Sequence, residues 1–143
     1  MSLARGGVQI CSVTEVLLDT HTLLWFDTAP ERLPEHALGL IRDRAQRIYV
    51  SAISVWELTI KYRLGKLPEA EALLGSYYDS LQRYGFTELP FTSVHALRDR
   101  ELGSDHKDPF DRALVAQALS EQFVLLSKDP NVAAFPGVTV IWD

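Results

Sequence analysis

Five short apolar runs recur along the chain: Val16–Leu18, Ile48–Val50, Phe86–Leu89, Phe123–Leu126 and Val138–Ile141. Most are continuously apolar rather than alternating, the pattern of strands covered on both faces. Between them, apolar residues return every three or four positions, which predicts helices. The span 33–47 carries Leu38, Ile41 and Ala45 on one face, and 54–64 carries Val55, Leu58, Ile60 and Tyr62. The span 69–84 carries Leu73, Leu74, Tyr77, Tyr78 and Leu81, and 109–122 carries Phe110, Ala113, Leu114, Ala116, Gln117 and Leu119. A short helix containing Trp25 follows the first run, and residues 90–107 form a compact excursion before the last long helix. Strands alternating with helices predict an α/β fold: a single three-layer α/β/α domain with a central, mostly parallel five-stranded sheet.

Composition narrows this picture. At 143 residues, 47% hydrophobic and 23% charged, the chain is sized for one domain with a substantial core, which excludes a disordered protein. No apolar run approaches the ~18–20 residues of a membrane span, so a soluble protein with no membrane partner is expected. Cys11 is the single cysteine, which excludes an internal disulfide framework and a cysteine-built zinc site. Residues 1–14 show no apolar period and no signal-peptide pattern. They read as a poorly ordered N-terminal extension to a domain over 15–143, in a protein expected in the cytoplasm. The net charge of -5 argues against a simple basic nucleic-acid binder.

Ligands of parallel α/β sheets bind outside the carboxyl ends of the strands, so acids at those ends carry the functional argument. Asp19 directly follows the first strand, and Asp129 closes the fourth. Glu57 falls in the first turn of the helix after the second strand, and Asp108 and Asp111 open the helix before the fourth. Each acid alone has a structural explanation. Ser54 and Glu57 match a capping box, Asp108 before Pro109 is an N-cap with Asp111 favourable to the helix dipole, and Asp129-Pro130 opens a turn. Asp19 can cap the short helix after it, and Glu57 with Lys61 has the spacing of a surface pair worth ~0.3–0.5 kcal/mol. The set is harder to explain away, because converging carboxylates repel one another. A divalent cation relieves that repulsion, and oxygen-only ligation suits Mg²⁺ or Mn²⁺, ions that assist in-line phosphoryl displacement.

Four segments appear in order: Leu17-Leu18-Asp19-Thr20-His21, Ser51–Leu58, His106–Arg112 and Leu125–Asp129. Together they resemble the PIN-domain ribonucleases, and more closely the toxins of VapBC-type toxin–antitoxin pairs, over roughly Val16 to Trp142. The resemblance implies a PIN-like fold and a metal-dependent endoribonuclease that hydrolyses single-stranded regions of RNA. It implies that Asp19, Glu57, Asp111 and Asp129 are catalytic and hold Mg²⁺ (or Mn²⁺). Asp108, Thr20, Ser127 and Arg112 are expected behind them, orienting carboxylates or substrate. The implied partners are an RNA substrate, a cognate antitoxin protein and a second copy of the chain in a homodimer. Nothing in the chain reads DNA directly.

The remaining polar and aromatic residues are assigned more modestly. His21, His36, His95 and His106 share no metal-ligand spacing, and only His21 adjoins a proposed ligand, where packing or capping accounts for it. Lys107, Arg112 and Lys128 each adjoin an acid and are phosphate-contact or carboxylate-pairing candidates. Trp25 and Trp56 are assigned to core or dimer packing rather than base stacking. The faces around Leu38–Ile41 and Leu58–Tyr62 are candidate grooves for a partner. Two alternatives stand beside the ribonuclease: a Mg²⁺-dependent phosphatase or phosphotransferase with Asp19 as nucleophile, and a silent PIN-like binding module. The first wants a second aspartate where His21 stands. Two divalent ions would bring the formal charge from -5 to about -1, so acidity marks a metal site instead of excluding RNA.

Overall fold

In the first strand, Val16 and Leu18 point to one side of the sheet and Leu17 to the other, and this alternation founds two separate cores. The computed structural model describes residues 13–143. Cys11 and most of the extension assigned to 1–14 lie outside the described residues. Thr14 is tied to the sheet, donating its N–H to Gln46 Oε1 (2.6 Å) and accepting from Arg47 N–H at 3.0 Å. The strands are β1 (Glu15–Leu18), β2 (Arg47–Ser51), β3 (Thr87–Leu89), β4 (Val124–Leu126) and β5 (Val140–Ile141). All four pairings are parallel, in the order β3-β2-β1-β4-β5, with Leu18 opposite both Val50 and Leu126.

The helices are α1 (Thr20–Thr28), α2 (Glu35–Arg42), α3 (Ala52–Arg63), α4 (Glu71–Gly75), α5 (Tyr77–Tyr84), α6 (Ser93–Arg98), α7 (Pro109–Glu121) and α8 (Pro130–Ala133). One core joins Val16 and Leu18 to Leu23, Leu24, Ala37, Ile41, Leu58, Leu73 and Leu81 of α1 to α5. The other joins Leu17 and Leu125 to Leu114, Val115 and Ala118 of α7. This is the three-layer arrangement that the periodicity predicts, with a sheet parallel throughout.

Several boundaries differ from the sequence expectation. The helix predicted over 33–47 ends at Arg42, because Asp43 Oδ1 accepts from Ala45 N–H (2.9 Å) and turns the chain. The helix predicted over 69–84 breaks between Gly75 and Tyr77, where Ser76 returns its hydroxyl to Ala72 O. Residues 90–107 hold α6 and a 3-10 turn at Asp99–Glu101. The helix predicted over 54–64 starts at Ala52, capped by Ser51, whose Oγ accepts from Ile53 N–H at 3.0 Å. The capping box assigned to Ser54 and Glu57 is therefore absent, and both side chains are released for other work. Ser51 also donates to Gln117 Oε1 (2.5 Å), Gln117 donates to Pro90 O (3.2 Å), and His95 bonds Glu121 (2.8 Å). This buried polar chain ties β2, α6 and α7 together.

Ile41 and Leu58 are core residues, so the faces nominated as grooves are taken by packing at those positions. Tyr62, from the second of those faces, lines an open apolar groove between α3, α4 and α5 together with Val55, Leu74, Tyr77 and Tyr78. Among the described residues, no helix is long and apolar enough to cross a membrane.

Candidate active site

The strand order reverses between β1 and β4, and loops leaving adjacent parallel strands in opposite directions open a crevice there. Asp19 leaves β1 into this crevice. Its N–H donates to Leu126 O (3.1 Å), and its Oδ1 accepts from Thr22 N–H (2.8 Å), so it caps α1 while facing the opening. Asp129 leaves β4 on the other side, its N–H donating to Ser127 Oγ (3.1 Å) and its Oδ1 accepting from Asn131 N–H (2.8 Å) to start α8. Asp108 caps α7 by accepting from Phe110 N–H (2.9 Å) and Asp111 N–H (3.3 Å), and this brings the acidic first turn of α7 to the same edge. Asp19, Asp108, Asp111, Asp129 and Glu57 line one cavity of about 400 Å³ together with Thr20, His21, Trp25, Lys61, Lys128 and Pro130.

Glu57 is not a surface residue. It is 4% exposed, its Oε1 accepts from the buried Thr20 hydroxyl at 2.6 Å, and its Oε2 accepts from Lys61 Nζ at 2.5 Å. Thr20 Oγ1 also lies 3.0 Å from the buried Ser54 Oγ, so α1 and α3 are joined through this carboxylate. The Glu57–Lys61 pair is partly buried and differs from the exposed pair that its spacing suggests.

The electrostatics follow from this crowding. Burial raises the Asp19 carboxyl above the usual range, against hydrogen bonds from Ser127 and Thr22 that lower it. Burial also raises Asp111, opposed by the hydrogen bond with His106 and reinforced by the charges of Asp108, Asp129 and Glu57.

A divalent cation is the implied relief, and the donor set suits one. The cavity acids offer oxygen alone, and Asp108, Asp111 and Asp129 each keep a carboxylate oxygen without a hydrogen-bond partner among the described residues. Among those residues, no three His, Cys, Asp or Glu side chains stand close enough to form a finished cage. The acids are gathered at one cavity without being closed around a point.

The nominated supporting residues separate. Thr20 and Ser127 reach Glu57 and Asp19 respectively. Arg112 turns away from the cavity. Its Nε donates to Asp99 Oδ1 (2.7 Å), its NH1 to Ser104 O (2.8 Å) and His106 O (2.9 Å), and its NH2 to Asp99 O (3.0 Å), which winds the 99–106 segment around the guanidinium. That segment delivers a residue that the sequence pattern missed. His106 Nε2 lies 3.0 Å from Asp111 Oδ2, with the ring edge-on to Phe135. The reading of His21 as the only histidine beside a proposed ligand is thus corrected, since His106 reaches Asp111 from five positions upstream, a spacing that no helix or strand rule flags. Trp25 packs against the core and also lines the cavity, whereas Trp56 is 59% exposed, edge-on to Phe110, and is not a core residue.

Comparison with known proteins accords with this geometry. The PIN-domain family matches residues 16–138 of the chain. The chain is 30% identical over 132 residues to ribonuclease VapC22 of Mycobacterium tuberculosis, covering 91% of this chain and all of that protein. It is 37% identical over 66 residues to ribonuclease VapC16 of the same organism, a match that spans 46% of this chain and 47% of the relative. The fold is shared with a chain in the crystal structure of VapBC2 from Rickettsia felis bound to a promoter DNA fragment. That match has a TM-score of 0.66 and 18% identity, and covers 91% of this chain and all of the other.

Proposed function

The chain belongs to the PIN-domain family, and on that premise we propose that it is a divalent-metal-dependent endoribonuclease, the toxin of a toxin–antitoxin pair, acting on single-stranded regions of RNA. The observation that carries the reading is the convergence of five carboxylates from β1, α3, α7 and β4 on one cavity at the switch point of the sheet. The similarity to a ribonuclease over nearly the whole chain supports the substrate class.

Asp19, Glu57, Asp111 and Asp129 would hold Mg²⁺ or Mn²⁺. Such an ion supplies an activated water and charge stabilisation to phosphodiester hydrolysis. The chain's own residues prepare the site. Thr20 and Lys61 fix both oxygens of Glu57, His106 fixes one oxygen of Asp111, and Thr22 fixes one of Asp19. Each carboxylate is thereby held in one orientation before substrate arrives.

The same reading assigns a cognate antitoxin as partner, and the open groove between α3, α4 and α5, with acidic Glu71 and Glu88 among its lining residues, offers an apolar floor for a basic amphipathic segment. A homodimer, a cytoplasmic setting, a domain over 15–143 and no DNA reading by this chain complete the proposal.

The test is cleavage of RNA by the purified protein in Mg²⁺ or Mn²⁺, with products carrying 5′-phosphate and 3′-hydroxyl ends. Asp19→Asn and Asp111→Asn should each abolish it. Cleavage at the wild-type rate by both variants removes the site assignment.

A further inference from the structure

A cation placed in an acid-lined cavity is expected to pair with a carboxylate, and Lys61 does so. Lys128 does not. It lines the same cavity and is bonded in sequence to Asp129, yet its ammonium lies 5.6 Å from the centroid of the Trp25 ring. The Arg32 guanidinium carbon lies 4.2 Å from the same centroid. Among the described residues, neither cation forms an ion pair with a carboxylate. The indole is therefore the group that holds both, through its electron-rich faces. Neither charge is neutralised by a carboxylate among the described residues, so each leaves positive charge unpaired near the acid-lined cavity. An anion is the group that would relieve it.

We propose that Arg32 and Lys128, held by Trp25, form a phosphate subsite that grips a phosphodiester of the RNA strand next to the one cleaved. This rests on the ribonuclease reading above. The cavity then has two poles. The acids of β1, α7 and β4 receive the reacting phosphate, and the Trp25 platform, which lines the same cavity with Lys128 and carries Arg32 beside it, receives its neighbour. Trp25 takes no stacked base in this arrangement, because cations occupy its ring. Its role is to position the two charges. Sequence recognition is not expected from this contact, since phosphates carry no base information. The subsite sets affinity and the placement of the strand across the acids. It also gives a chain of net charge -5 two cationic contacts for a polyanion beside its acids.

The experiment measures steady-state cleavage of a labelled single-stranded oligoribonucleotide by the full chain in Mg²⁺, from 50 to 200 mM KCl. Lys128→Ala and Arg32→Ala should each raise KM about 3–5-fold at unchanged kcat, the size expected for one exposed charge contact. Each should make the log–log salt dependence shallower by about 0.7, the value for one single-strand phosphate contact. Lys128→Arg should restore the wild-type slope, and Lys66→Ala, an exposed control away from the cavity, should behave as wild type. In an Asp19→Asn background, where no cut is expected, fluorescence anisotropy of the bound RNA should report the same loss of affinity. Wild-type KM, affinity and salt slope in both alanine variants overturn the subsite while leaving the ribonuclease reading intact. A wild-type protein that cuts no RNA removes that reading and the subsite together. Normal RNA kinetics with weakened binding of an acidic protein partner would reassign the patch and also overturn the proposal.

Discussion

Thr20→Val replaces a buried hydroxyl by a methyl, removing its hydrogen bond to the buried carboxylate of Glu57 and its contact with Ser54 Oγ. Thr20 and Glu57 are each 4% exposed, and the donor–acceptor distance is 2.6 Å, in the range of a charge-assisted bond. Valine is nearly isosteric, so no cavity forms and the loss is electrostatic. A hydrogen bond to a charged group is worth ~1.5–3 kcal/mol, and Glu57 keeps Lys61 as its remaining donor, so a cost of about 2 kcal/mol is expected. For a domain of this size that corresponds to a melting temperature lower by roughly 5–10 °C. Urea unfolding should show the midpoint falling with the slope unchanged. The same substitution in a Glu57→Gln background should cost at least about 1 kcal/mol less, because the partner no longer carries a buried charge. RNA cleavage should fall as well, since Glu57 loses its fixed orientation. A stability change under about 0.5 kcal/mol, or equal costs in the two backgrounds, would refute the claim that Thr20 restrains an ionised Glu57.

Further expectations concern the ion, the histidine and the buried polar chain. In metal-free buffer, Asp19→Asn should be at least as stable as wild type at neutral pH, because burial disfavours the Asp19 charge and asparagine keeps the oxygen that caps α1. The sign follows from a folded carboxyl raised above its unfolded value: its stability is present at low pH and lost as pH rises through the folded value, so wild type should gain on the variant as pH falls. Mg²⁺ at ten times its dissociation constant should stabilise wild type by about 1.4 kcal/mol and Asp19→Asn by much less, read by thermal unfolding. His106→Ala should weaken Mn²⁺ binding in calorimetry by about 10-fold or more, with partial rescue by His106→Gln; unchanged affinity would remove His106 as the residue that orients Asp111. Arg112→Met should expose the 99–106 segment to limited proteolysis, because four hydrogen bonds from the guanidinium hold it. Ser51→Ala should cost about 2–3 kcal/mol in urea unfolding, combining a lost N-cap with an unpaired Gln117 oxygen.

Local pattern carried the sheet and the acids. Runs such as Val16–Leu18 and Phe123–Leu126 are apolar on both sides because helices cover both faces of the sheet. Asp19, Asp108 and Asp129 were legible because strand ends and helix starts are marked by residues adjacent in sequence. Where side chains compete for the backbone, the pattern misled: Ser54 with Glu57 fits a capping box, but the helix starts one turn earlier at the Ser51 cap. The Thr20 partner of Glu57 and the partners of Arg112, His106 and Lys128 were not legible, because each contact depends on how the fold or a loop brings its residues together. Sequence alone determined that a parallel α/β domain would carry a set of carboxylates at its strand ends, since burial and capping are local rules. Tertiary structure decided which cation neutralises which acid and which is left over. The spacing of Glu57 and Lys61 records their pairing but not its burial, and the placing of Lys128 and Arg32 over Trp25 is a matter of distance that no spacing along the chain records.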